Sequence, residues 1–163
     1  MGMTLTLLRV SSEELEQYLN DKELLTDRVF NDEGEDPKLV DIDKAWDGII
    51  FLLTGERSLE SQHPLVSIFF SGKFISEDQD LGYGPAHYLT ASEVQVLNKK
   101  LVELSEEEVA SKYDGHKMAA LNIYPSDWQS EEEREYLMEY FIEVKSIYAQ
   151  AAENGEAIIT FLN

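Results

Sequence analysis

Three aspartates, Asp41, Asp43 and Asp47, stand at the head of the apolar run LVDIDKAWDGIIFLLTG, residues 39–55. An Asp-x-Asp pair after apolar residues can hold Mg²⁺, so the spacing admits a divalent-metal or phosphoryl-transfer site. Such a site also needs carboxylates from elsewhere and a group for substrate phosphate, and no glycine-rich loop follows. The competing reading is architectural. On a helix beginning at Asp43, residues Ala45, Trp46, Ile49, Ile50 and Leu53 share one broad arc, with Asp43 and Asp47 on its border. Asp43 or Asp41 then caps the helix, Asp47 bonds a neighbouring backbone, and Gly55 ends it. The pattern favours architecture over chemistry.

Other chemistry-bearing residues are scattered. The three histidines are isolated in sequence, and none forms an HExxH pair. His63 beside Pro64 and His116 after Gly115 read as loop residues. His87, in GYGPAHYLT, has the company of Tyr83 and Tyr88. There is no Gly-x-Ser-x-Gly elbow, and the chain has no cysteine to act as nucleophile or thiolate ligand. Tyr124, Trp128, Tyr136 and Tyr140 could line a pocket, but their helical or near-turn placement suits core packing. Asp43, Trp46, Asp47, His87, Tyr88, Tyr124 and Trp128 are therefore the candidate pocket residues. None is assigned a catalytic, metal-binding or cofactor-binding role, and no cofactor is implied.

The elements that must position these residues announce themselves through one local signal. Ser11-x-x-Glu14, Thr90-x-x-Glu93, Ser105-x-x-Glu108 and Ser130-x-x-Glu133 each place a hydroxyl three residues before a glutamate. In this capping box the hydroxyl accepts from a first-turn N–H while the glutamate reaches back. Helices are predicted to start near 12, 91, 106 and 131. The last is the longest, with Leu137, Phe141, Val144, Ile147, Tyr148 and Ala151 at helical spacing and Asn154-Gly155 closing it. Alternation in TLTL predicts a first strand, Ala86–Leu89 a short one, and residues 157–162 a terminal one. Residues 65–70 could be strand or helix, and 82–85 form a loop. Residues 31–38, NDEGEDPK, read as an acidic loop. The expected fold is α+β: a single compact domain over residues 1–163, with several helices packed on a small sheet.

At 163 residues the chain can bury a full core without staples. Its net charge of −20 has the wrong sign for a nucleic-acid backbone or an anionic membrane surface. No run approaches eighteen apolar residues, and the N-terminus lacks the pattern of a signal peptide. A cytoplasmic location follows as an expectation, in keeping with the missing disulfides. The charge suits a basic protein partner, so a non-catalytic binding or interaction domain is the leading functional reading. Residues 32–36 and 131–135 are its expected contact points, being dense in acid and free of core duties. The alternative is a hydrolase or transferase using the carboxylates of the 41–55 helix.

LVDIDKAWDGIIFLLTG, followed by LGYGPAHYLTASEV and MAALNIYPSDW, resembles the YfbM-like family of small bacterial proteins. The likeness extends from MGMTLTLLRVSSEELEQYL to the terminal helix and strand, essentially the whole chain. It implies a single α+β domain in a bacterial cytoplasm. The family has no established reaction or active site, so the resemblance carries no functional residue onto this chain.

Overall fold

A computed structural model describes residues 2–30, 34–125 and 127–163; Asn31, Asp32 and Glu33 of the acidic loop lie outside the described residues. Strand β1 (Leu5–Val10) runs antiparallel to the C-terminal strand β4 (Ala157–Leu162), with Leu5 opposite Leu162 and Val10 opposite Ala157. Strand β2 (Leu39–Asp41) pairs with the other side of β1, and β3 (His87–Leu89) with the other side of β4. The order is β2-β1-β4-β3, antiparallel throughout.

Both central strands are apolar on both faces because helices cover both. Leu8, Val10, Ile159 and Phe161 pack against α1 (Ser12–Asn20) and α2 (Lys22–Phe30). Leu5, Leu7 and Ile158 face the larger layer of α3 (Trp46–Thr54), α4 (Ala91–Val102), α5 (Glu106–Ala110), α6 (Gly115–Ala120) and α7 (Glu131–Asn154). Seven helices among the described residues thus pack on one four-stranded sheet, an α+β domain.

The hydroxyls of Ser11, Thr90, Ser105 and Ser130 all cap where the spacing predicted. Three of the boxes close fully; at Ser105 only the hydroxyl half forms. Helix α7 ends at Gly155, whose φ of 65° is the left-handed conformation that a glycine adopts without strain.

Four expectations change. The helix carrying the aspartates starts at Trp46, not Asp43, because Asp43 sits at φ 53°, outside right-handed helical space. Neither Asp41 nor Asp43 caps it: the residue before it is Ala45, with no side-chain bond. Nor is one arc buried. Every residue from Trp46 to Leu52 is buried, since α3 lies between the sheet, α5, α7 and a 3-10 turn at Pro64–Ile68, which resolves the ambiguous 65–70 segment. His116 belongs to α6 rather than a loop; Asp114 caps that helix by accepting from the Lys117 N–H at 3.1 Å.

Gly115 opens α6 against the carbonyl of Trp128, and an added Cβ would lie 2.0 Å from that oxygen. Helix propensity alone favours alanine there by about 1 kcal/mol. The clash with fixed backbone outweighs it, so Gly115→Ala is expected to destabilise by about 1–3 kcal/mol in urea denaturation. A neutral or stabilising result contradicts this packing.

Candidate functional site

Asp47 occupies the first turn of α3, 6% exposed, where the partial positive charge of the helix N-terminus favours a carboxylate. A buried carboxylate needs hydrogen-bond donors, and three reach it. Its Oδ1 accepts from the Ser58 N–H at 3.2 Å and the Ser58 hydroxyl at 2.6 Å; its Oδ2 accepts from the Tyr124 N–H at 2.8 Å. Both oxygens are therefore occupied in joining α3 to two distant segments.

Asp41 and Asp43 serve a turn. The Asp41 Oδ1 accepts from the Asp43 N–H at 2.6 Å, and the Asp43 carbonyl accepts from the Leu5 N–H at 3.0 Å, next to the β1–β2 ladder. The Asp43 carboxylate accepts from the Tyr136 hydroxyl at 2.9 Å, which in turn accepts from the Lys44 N–H at 3.1 Å. Burial, then the bond to Asp43 and its charge, push the Tyr136 hydroxyl well above the ordinary phenol range. Among the described residues no three His, Asp or Glu side chains are grouped to hold a metal ion.

The aromatic candidates interlock. Trp46 stacks on Tyr124 with centroids 5.3 Å apart and meets the edge of Phe70 at 5.6 Å. Its indole N–H donates to the Met3 carbonyl at 3.0 Å, while the Met3 N–H donates to the Tyr124 hydroxyl at 2.8 Å. Phe70 continues to His87 at 5.5 Å, and Phe74 flanks that ring at 4.7 Å. The His87 Nδ1 accepts from the Gly72 N–H at 3.1 Å, placing the proton of the neutral ring on Nε2, and burial lowers its pKa. Tyr88, next along β3, points to the opposite face of the sheet and lies beneath the Lys73 ammonium. Trp128 is buried beside Gly48 and donates to the Ile123 carbonyl at 2.9 Å.

The structure thus brings Trp46, Asp47 and Tyr124 into one cluster and links His87 to it through Phe70. Tyr88 lies elsewhere, and Asp43 looks toward Tyr136. None of these candidates lines either of two grooves of about 750 Å³. One groove lies between the end of α3 and residues 111–117. The other follows β2 and is lined by Val29, Leu39, Val40, Glu35, Asp41 and Glu143 among others. Ser58, Phe70 and the β2 groove escaped sequence reasoning. A lone serine gives no signal, and a three-residue strand is too short for alternation to reveal.

The fold is therefore an α+β domain in which the candidate carboxylates are bonded into the scaffold. The chain belongs to the family described as a domain of unknown function (DUF1877), whose model matches residues 1–161. Its fold is similar to the crystal structure of YfbM from Escherichia coli, a protein of unknown function, with a TM-score of 0.74 and 21% identity. That match covers 98% of this chain and 99% of the other. No curated protein matches the chain. No helix among the described residues is long and apolar enough to cross a membrane.

Asp47→Asn turns an amide NH₂ toward a backbone N–H, leaving buried donors unsatisfied, and is expected to cost about 1–3 kcal/mol of stability. Trp46→Ala is expected to cost about 3–5 kcal/mol. Both are read by chemical denaturation. An Asp47→Asn variant as stable as the parent, or more so, contradicts the structural role and is the pattern of a catalytic acid.

Proposed function

We propose that this domain is a non-catalytic binding module of the bacterial cytoplasm whose partner is a basic protein. The observation that supports this most directly is how the acids are divided. Those of residues 41–47 with converging bonds are built into the fold, whereas Glu35, Asp41, Glu139 and Glu143 are exposed and form no ion pair among the described residues. Asp41, Asp43, Glu139 and Glu143 act on one group: burial, then these charges, push the Tyr140 hydroxyl up.

The contact points expected from sequence need revision. Glu133 closes the cap on Ser130 and Glu131 pairs with Arg134 at 2.7 Å, so the start of α7 is not free of structural duty. Within residues 32–36, Asp36 is held by Arg28 at 2.9 Å. Exposed carboxylates that form no ion pair among the described residues also lie around β2 and the middle of α7, as they do at the start of α5. Exposed carboxylates suit binding better than a hydrolase or transferase reading, for which no arrangement of carboxylates among the described residues offers support.

A field of this sign accelerates encounter with cations and is screened by salt. For a partner captured from source-cell lysate at low salt, the association rate is expected to fall about tenfold or more between roughly 0.01 and 0.1 M ionic strength. Stopped-flow kinetics on the purified pair measures this. An acidic partner, or a rate indifferent to salt, contradicts the proposal.

A further inference from the structure

The geometry points to the outer edge of β2 as the docking site, taking an extended Lys- or Arg-rich segment of the partner as an added strand. This rests on the basic-partner reading above and names where and how that partner is held.

The backbone of β2 shows which groups are free. The Lys38 carbonyl accepts from Arg9 N–H at 3.0 Å, and the Ile42 N–H donates to the Leu5 carbonyl at 2.9 Å, so both residues turn toward β1. Strand alternation then turns Leu39 and Asp41 away from it. The Leu39 N–H is taken by the Asp36 carbonyl at 3.0 Å. The Leu39 carbonyl and both the N–H and the carbonyl of Asp41 have no hydrogen-bond partner among the described residues. A residue paired with Asp41 in an antiparallel ladder could exchange two bonds with it, and the residue two positions along could donate a third to the Leu39 carbonyl.

The opposite edge of the sheet is closed. Residues 73–75 lie along β3, with the Tyr88 N–H donating to Lys73 and the Ile75 N–H to Ala86, each at 2.9 Å. Among the described residues only β2 therefore offers ladder groups at the edge of the sheet, and the groove of about 750 Å³ runs beside them. Val29, Leu39 and Val40 give it apolar surface; Glu35, Asp41 and Glu143 give it carboxylates. Lysine and arginine suit both, burying their stems on the apolar surface while the heads meet the acids. A second copy of this chain does not suit, because at −20 it would set like charges across the new ladder. Charge thus selects the occupant that the open edge would otherwise accept without discrimination.

The test uses the whole protein and two blocked decapeptides. One alternates lysine with threonine; the other is identical but N-methylated at its four central residues, which keeps the charge and removes the ladder donors. Binding of the first is expected to slow hydrogen exchange at the Asp41 amide in ¹⁵N NMR spectra. N-methylation is expected to weaken binding about tenfold, the equivalent of two or so net hydrogen bonds. Glu143→Gln, an exposed change on α7, is expected to weaken the first peptide as well. Equal affinity of the two peptides with an unchanged Asp41 amide overturns the edge site and leaves the basic-partner reading standing. Failure of the unmethylated peptide to bind at low salt also overturns the edge site, while the association kinetics of the captured partner judge the broader reading separately.

Discussion

A carboxylate at 6% exposure, with three donors and, among the described residues, no cation, is the constraint on which the larger layer depends. Isolated in an apolar interior, an ionised Asp47 would cost several kcal/mol; three hydrogen bonds and the start of a helix make its burial tolerable. The donors come from Ser58 and Tyr124, 11 and 77 residues away in sequence. Their bonds fix the chain leaving α3 and the segment preceding α7. Once Tyr124 is in place its ring supports Trp46, and its hydroxyl, together with the Trp46 indole, holds Met3 on the way into β1. The first strand, the central helix and the approach to the last helix meet at one side chain.

That arrangement also explains why the acids at 41–47 make a poor site for chemistry. Each oxygen of Asp47 accepts from a segment beyond α3, Oδ1 from Ser58 and Oδ2 from Tyr124, and so is engaged in holding the fold. Asp43 is held in a left-handed turn whose carbonyl meets Leu5 beside the β1–β2 ladder. The proposed docking surface falls instead where the scaffold leaves groups over. At the β2 edge, the helices of the two layers stand apart on either side of a strand whose outer side has no paired strand among the described residues. Ladder groups lie there beside the exposed carboxylates of Glu35, Asp41 and Glu143.

How much of this the sequence disclosed follows from distance along the chain. Capping boxes are decided within four residues, so the hydroxyls at Ser11, Thr90, Ser105 and Ser130 were all legible. The long period of α7 and its closing glycine were legible for the same reason. Asp43 was misread because its spacing matches a helix cap, while contacts from Leu5 and Tyr136 hold it at φ 53°. Helix α2 has no capping box, α6 is only six residues long, and β2 spans three, too few for a period to appear. The candidate cluster was half visible. Trp46 and Asp47 sit in one conspicuous motif, but nothing local marks Ser58 as a partner or places Tyr88 behind the sheet. An open edge is less visible still, since it is defined by a neighbour that is missing.

The central claim, that Asp47 is a structural tie, is tested most directly by native-state hydrogen exchange at the Tyr124 and Ser58 amides. Both lie outside regular helices and strands, where amides ordinarily exchange through small local openings. If the carboxylate holds them as described, both should exchange only through large openings, with protection close to that of the β1 and β4 amides. Exchange at the rates of an exposed loop at either position would show that Asp47 does not bear this role, and would return the aspartate cluster to consideration as a site of chemistry.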